Sequence, residues 1–526
     1  MVRSSSRSRK KKVVTSTVPT PAKIGQYTLS QVDRSLLKLA LVEYKYVSPP
    51  KSICEQIFLV KFWNAVAEHY PAWMAPNTVT FFGYICSLIA VAMTLYFEPH
   101  GFPSWYWLVV AFLLFLYQTA DGSDGPQARR LQCGSALGEL FDHGVDALVT
   151  SFICLISFTV TNVNLSHPIV PLGFACTMSA FFFSNATLLH TSRQLFNSID
   201  AQETQLVCQA LLVVVYCCGR DLFLYPLPLP SWVASTLTTH FSFVASNFMT
   251  LTSNLDQEQQ QSWSIETRDA LNMIVVCATT FNCIGACRNI CAHYALEKGA
   301  SVRATGRTLT EFWQQVRSMV LFFILIAVSW CTAKTATTIH ATSSVYAFRL
   351  WFLSISFAFA DHVNHVLVLR VAKIPFPSLI RTRCFWLIGF FALWTELGNR
   401  ETDMTSPLIV YGDLGRCAVF ALCFGSHFYY SYTVGGAIAQ GLGVTFFSVP
   451  MKKQTAFLRK KKMESGGAIL STKKKKAATP VKKAGKYNRT TTLVENLRHP
   501  EKDDDVSLVL RPRHRTTRSS TRSKRS

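Results

Sequence analysis

The chain holds 16 cysteines but no C-x-x-C pair, so nothing has the ligand spacing of a structural zinc site. Cys217 and Cys218 are adjacent, and Cys287 and Cys291 lie one helical turn apart, with no hydrophilic framework around either pair. A disulfide-built domain is therefore unsupported. Cys86, Cys154, Cys176 and Cys277 sit inside apolar runs and read as small buried hydrophobes. The basic N-terminus has no apolar core behind it, so no cleavable leader is expected and the first true span should act as the insertion signal. There is no internal repeat of the kind many transporters carry. No basic stretch is interleaved with aromatics as a nucleic-acid module would be, so no nucleic-acid partner is expected. Lys and Arg are missing altogether from 221–267.

Charge is scarce overall. Charged residues make up 16% of 526, against 49% hydrophobic and 13% aromatic. The formal net charge of +23 gathers in the tails and a few loops. Long apolar runs recur, which predicts an all-α polytopic membrane protein with about ten transmembrane helices of ~20 residues. The expected spans are roughly 78–97, 104–120, 142–162, 168–190, 204–225, 268–294, 316–338, 345–370, 384–399 and 412–434. Loops after the second, fourth, sixth and eighth spans carry Arg129 and Arg130, Arg193, Lys298, Arg303 and Arg307, and Lys373, Arg381 and Arg383. By the positive-inside rule those loops and both termini are expected on the cytosolic side.

Five regions follow from this pattern. Residues 1–27 are a basic Ser/Thr/Pro tail expected to be disordered. Residues 28–70 contain amphipathic stretches, SQVDRSLLKLALVEYKY and ICEQIFLVKFWNAVAEHY, expected to lie in the membrane interface. Residues 71–295 hold the chemistry-bearing core. Residues 296–450 add further spans, with a role in packing or dimerisation. Residues 451–526 form a second disordered tail, rich in Lys and Arg and suited to anionic headgroups. Asp361, His362 and His365 fall inside the eighth span and are expected to serve packing or dimer contacts.

The most informative stretch is DGSDGPQARRLQCGSALGELFDHGVD, from Asp121 to Asp146. Asp121 and Asp124 are spaced i, i+3 and share a helix face. Glu139, Asp142, His143 and Asp146 follow at i, i+3, i+4 and i+7, one stripe on the next helix. Carboxylates at the ends of membrane helices are expensive unless paired or metal-bound. Two facing pairs make an oxygen-rich cage that suits a hard divalent cation beside phosphates.

These residues resemble the signature of the CDP-alcohol phosphotransferases: D-x-x-D-G-x-x-A-R, eight residues, then G-x-x-x-D-x-x-x-D. Asp121, Asp124, Gly125, Ala128, Arg129, Gly138, Asp142 and Asp146 fill every fixed position. The flanking QARR and LGELFDHG resemble the eukaryotic choline/ethanolamine branch. Pro76-Asn77-x-x-Thr80 is similar to the family's element at the start of its first helix, with an N-cap as the alternative role for Asn77. IDAQETQ (199–205) and AIAQGLGVTFFSV (437–449) are similar to further family segments. The long Gln/Ser-rich region 226–266 departs from the pattern.

The resemblance implies transfer of a phosphoalcohol from CDP-choline or CDP-ethanolamine to diacylglycerol or an alkyl-acyl analogue, with CMP leaving. It implies Mg²⁺ or Mn²⁺, two ions, on Asp121, Asp124, Asp142 and Asp146. Asn77, Gly125, Ala128 and Arg129 are implied on the donor, with Arg130 similarly placed. Asp146 is the base usually suggested by the pattern. A metal-bound carboxylate is a poor proton acceptor, however, and His143 has the more suitable intrinsic pKa. A Glu139–His143 pair is therefore expected, Glu139 orienting the ring. A homodimer in the endoplasmic reticulum or Golgi membrane is implied as well. The alternatives are a family member using another alcohol such as inositol, and a membrane cation transporter.

Overall fold

A computed structural model describes residues 51–191, 201–240, 249–253, 261–296, 308–339, 344–371, 385, 387–392, 412–460 and 463. The N-terminal tail, the first interfacial stretch, most of the span expected at 384–399 and the tail beyond 463 lie outside the described residues.

A π-turn, Glu55–Leu59, leads into α1 (Val60–His69). This segment is amphipathic as expected. Leu59, Trp63 and Ala67 are buried, while Ile57, Phe58 and Phe62 are exposed. Among the described residues seven helices are long and apolar enough to cross a membrane, which makes this an integral membrane protein. They are α2 (Pro76–Phe97), α4 (Ala136–Val160), α5 (Ile169–Thr191), α6 (Ala201–Cys218), α8 (Thr267–Leu296), α9 (Leu309–Ile339) and α10 (Ser344–Val371). Two more helices match that length, α3 (Ser104–Arg130) and α11 (Gly412–Leu442).

The helix boundaries around the signature have local causes. Pro103 is extended and starts α3. The helix does not stop at residue 120, as the apolar run alone suggests, but continues through the polar signature to Arg130. It ends where Gln132 adopts φ 52° and the amides of Gln132 and Cys133 bond back to the carbonyls of Arg129 and Ala128. Ser135 then caps α4, its Oγ accepting from Gly138 N at 3.2 Å. That cap starts α4 before the expected 142 and brings Glu139 into its first turn.

The region 226–266, which departs from the family pattern, contains the only strands among the described residues. β1 (Pro226–Pro228), β3 (Gln261–Glu266) and β2 (Met249–Ser253) form an antiparallel sheet in that order, with Leu227 opposite Ile265 and Leu251 opposite Trp263. A short helix, α7 (Ser231–His240), lies between β1 and β2.

α4 and α10 are the most enclosed of the spans, each with 78% of its apolar window buried. They pack against each other, α2 and α3 pair alongside, α6 lies on α3, and α8 lies on α5. Gly83 lets α2 approach α3 closely, since a Cβ there would stand 2.9 Å from that of Ala120. One large apolar core joins α4, α5, α9 and α10 through Phe152, Phe174, Phe182, Phe322, Phe352 and Phe359.

Candidate active site

The signature lies at the junction of α3 and α4, on a cavity of about 1600 Å³. Asp121 and Asp124 come from the last turns of α3, and Asp142 and Asp146 from the second and third turns of α4. Asp121, Asp142 and Asp146 each offer an oxygen, and the three oxygens lie within 4.8 Å of one another. Asp124 lines the same cavity and is 8% exposed.

Neutral donors hold three of these carboxylates. Thr80 on α2 donates its hydroxyl to Asp124 Oδ2. Tyr117 donates to Asp146 Oδ1 at 2.8 Å. Gln202 Nε2 donates to Asp121 Oδ2 at 3.3 Å, and its own carbonyl oxygen accepts from Gln118 Nε2 at 2.9 Å. Gln118 in turn accepts from Gln209 Nε2 at 2.9 Å. The carboxylates are thus oriented without having their charge cancelled. Among the described residues no Lys or Arg pairs with any of the four, and Asp142 Oδ1 is buried with no partner. A cluster of anions gathered so closely without a protein cation fits a divalent metal ion.

His143 lines the cavity, half-buried. The expected Glu139–His143 pair is not formed. Glu139 is held instead by Arg370 of α10, whose guanidinium bonds its Oε1. A guanidinium from a packed neighbouring helix is a stronger partner for a buried carboxylate than a neutral imidazole one turn away on the same helix.

Asn77, Gly125, Ala128 and Arg129 all line the cavity. Asn77 is buried and is not an N-cap: Ala75 holds that place and no side chain caps α2. Its Oδ1 lies over Gly138, where a Cβ would stand 3.4 Å away. Arg129 is exposed at the cavity and reaches back across Gly125. Arg130 departs from expectation. Its Nη1 bonds Ala67 O at 2.6 Å, its Nη2 bonds Tyr70 O at 2.8 Å, and its guanidinium lies 4.7 Å over the Phe457 ring. It ties α1 to α3 and is already committed to protein carbonyls.

Two segments remote from the signature close the mouth. Lys51, Glu55, Trp63 and Asn64 line one side. Gly122 has no Cβ because the Trp63 ring lies on it, 2.1 Å from where that atom would be. On the other side Val444, Phe446, Val449 and Lys453 return after α11. Met74 bridges to Ser448, Thr78 Oγ1 donates to Phe447 O at 3.3 Å, and Lys453 Nζ donates to Gln132 O at 2.7 Å. Cys133 lines the mouth too, but burial pushes its thiol above the ordinary range.

From the carboxylates the cavity runs along the helices past Ile153, Phe158, Phe181, Leu211, Leu271 and Ile274. The principal packing of α8 is with α5, and that of α6 is with α3. Phe281 and Ile274 on α8 and Val207 on α6 are among the cavity-lining residues that also face outward, at 72%, 64% and 58% exposure.

Residues 73–244 match the family described as CDP-alcohol phosphatidyltransferase. The chain is similar to the choline/ethanolaminephosphotransferase 1 of Saccharomyces cerevisiae, at 25% identity over 343 residues, 64% of this chain and 78% of the yeast protein. It is 33% identical to the cholinephosphotransferase 1 of Xenopus laevis over 194 residues, 36% of this chain and just under half, 47%, of that protein. The ethanolaminephosphotransferase 1 of Homo sapiens is 37% identical over 114 residues, 20% of this chain and 29% of the human protein.

Proposed function

We infer that this chain, which belongs to the CDP-alcohol phosphatidyltransferase family, transfers the phosphoalcohol of CDP-choline or CDP-ethanolamine to diacylglycerol or its alkyl-acyl analogue. The observation that carries this is the cluster of Asp121, Asp142 and Asp146, with Asp124 on the same cavity and, among the described residues, no protein cation paired with any of them, in a cavity that continues along apolar side chains. In the reaction the lipid hydroxyl oxygen bonds to the phosphorus bearing the alcohol. The bond from that phosphorus to the bridging oxygen breaks, and CMP leaves with the electron pair.

Two divalent ions, Mg²⁺ or Mn²⁺, held by Asp121, Asp124, Asp142 and Asp146, would neutralise pyrophosphate charge. Arg129, exposed at the cavity, adds a charge-assisted contact to phosphate. Gly125, Ala128 and Gly138 leave room for the nucleotide, and Asn77 presents an amide beside it. The apolar stretch past Ile153 and Phe181 accepts the acyl chains and keeps water from the donor.

His143 takes the proton of the acceptor hydroxyl. Asp146 is less suited, being engaged by Tyr117 and gathered with Asp121 and Asp142. Glu139 is engaged by Arg370, so it acts on the helix and not on the imidazole. His143→Ala should lower turnover by about two to four orders of magnitude, the usual share of a general base, while CDP-alcohol binding survives. Near-normal turnover in His143→Ala, with an Asp146→Asn that binds donor but does not react, would return the role to Asp146.

The Lys/Arg asymmetry between loops supports a cytosolic site. We further read the chain as a homodimer of the endoplasmic reticulum or Golgi membrane whose basic tails meet anionic lipid. Purified protein given diacylglycerol, Mg²⁺ and either donor should release CMP. Competition between CDP-choline and CDP-ethanolamine then sets the alcohol preference. Absence of CMP release, with cation flux in proteoliposomes, would favour a transporter instead.

A further inference from the structure

One helix outside the family-matched region packs on α4 behind the site and holds Glu139, a residue that lines the cavity. α10 bears an arginine near each end. Arg349 Nη2 lies 3.2 Å from Glu98 Oε2, at the C-terminal end of α2. Arg370 pairs with Glu139 on α4. The two arginines stand 21 positions apart, about 32 Å of helix at 1.5 Å per residue, close to the ~30 Å of a hydrocarbon core. α10 is thus fastened by charge to the signature-bearing half at both ends of its membrane passage.

The inner contact is the consequential one. The Glu139 and Arg370 side chains are 5% and 11% exposed. Glu139 Oε2 and Arg370 Nε are buried with no other partner, so each charge depends on the other. A second contact lies just beyond. Asn364 Oδ1 would stand 2.8 Å from a Cβ on Gly144, and Asn364 Nδ2 donates to Ser431 Oγ of α11 at 3.4 Å. Glu139 and Gly144 bracket Asp142 and His143 on α4. Any rotation of α4 that turned those two side chains out of the cavity would have to break a buried ion pair.

We propose that Arg370 is a positioning residue: through Glu139 it fixes the rotation of α4 that aims His143 and Asp142 into the cavity. A buried ion pair adds little stability over an apolar pair of the same shape, but it fixes geometry, because neither charge tolerates loss of its partner. The inference rests on the phosphotransfer reading above.

The test is a mutant cycle with steady-state kinetics on the full chain in nanodiscs. Arg370→Gln should lose about ten- to a hundredfold in kcat, as removal of outer-shell partners commonly does. The KM for CDP-choline should rise less than kcat falls, because Arg129 and Asn77 still meet the donor while the aim of Asp142 and His143 is loosened. Arg370→Lys should recover part of the loss, since it keeps the charge but not the planar fork. Glu139→Gln combined with Arg370→Gln should be no slower than Arg370→Gln alone, because both changes break one contact. Wild-type kcat in Arg370→Gln would overturn the proposal. So would a double variant slowed by the product of the two single losses, which would mean separate roles. Should Arg370→Gln fail to fold, Glu139→Gln, which breaks the same contact from the other side, carries the test, and wild-type kcat there overturns the proposal as well. A wild type that releases no CMP sinks the phosphotransfer reading and this inference together. A wild type that turns over beside an equally active Arg370→Gln sinks the inference alone.

Discussion

Two polar clusters stand inside the membrane-spanning body, and they are built differently. The first holds Asp121, Asp124, Asp142 and Asp146, lines the cavity, and has Gly122, Gly125 and Gly138 around it. The second holds Asp361, His362 and His365 on α10 and does not line the cavity. Its histidines are packed as aromatic rings. His362 stacks on Phe182 at 5.4 Å and bonds Ser318 Oγ at 3.1 Å, and His365 lies over Tyr430 at 3.8 Å. Polarity in a membrane helix is therefore not enough to mark a site. What distinguishes the first cluster is room: small residues and an open face on the cavity.

The sharpest way to break that comparison is to remove the charge from the roomy cluster. Asp142→Ala should abolish turnover, and EDTA should abolish it reversibly in the wild type, since Asp142 offers a buried oxygen with no protein partner. Full activity of Asp142→Ala in metal-free buffer would show that the cage is a packing feature like the second cluster.

A smaller effect is expected from the donors that aim the carboxylates. Tyr117→Phe removes the hydroxyl on Asp146 and changes little else, because the ring stays in the core. Loss of about 10–100-fold in metal affinity or activity is the usual outcome for such a partner. It should be largely relieved by raising Mn²⁺. A loss insensitive to metal concentration would assign Tyr117 to the substrate instead.

The second cluster supplies the control. His362→Phe keeps a ring between Phe182 and Phe385 and removes only the contact with Ser318. Turnover should stay near wild type, with stability lowered by about 1 kcal/mol, typical for one hydrogen bond, read as a shift in the thermal midpoint in detergent. Loss of turnover without loss of stability would make the second cluster a site after all and erase the contrast.

What could be read in advance follows sequence distance. The i, i+3 and i+4 spacings put the carboxylates on two facing helices because those neighbours are local, and the structure brings Asp121, Asp142 and Asp146 together. The partners that orient them are not local. Thr80 is 44 residues from Asp124, Gln202 is 81 from Asp121, and Arg370 is 231 from Glu139. No periodicity reports such pairs. Glu139 and Arg130 show the same limit from the other side. Glu139 stands one turn from His143 and Arg130 stands beside Arg129, yet Arg370 claims the first and the carbonyls of Ala67 and Tyr70 claim the second. The end of α3 escapes a hydropathy reading for a different reason: hydropathy falls at Asp121, while helical hydrogen bonding continues to Arg130.

The smallest expected effect concerns the basic C-terminus, and the structure moves the point at which to cut it. The charge runs begin at Lys452 and Lys453, which places the tail boundary at 451 by composition. Residues 451–460 are nevertheless helical, and they are tied to the site. Lys453 donates to Gln132 O in the loop between α3 and α4, and Phe457 lies beneath the Arg130 guanidinium that bonds the end of α1. Deleting 451–526 would remove part of the cavity wall with the tail, whereas deleting 464–526 removes only charge-rich chain beyond it. Turnover in neutral nanodiscs should therefore be unchanged by the 464–526 deletion and reduced by the 451–526 deletion. The polybasic runs attract anionic headgroups, by about 1 kcal/mol per Lys or Arg near the surface. Stimulation by anionic lipid should accordingly weaken in both. Equal turnover for the two truncations would show that Lys453 and Phe457 do not support the site; a dead 464–526 deletion that still folds would carry the tail itself into it.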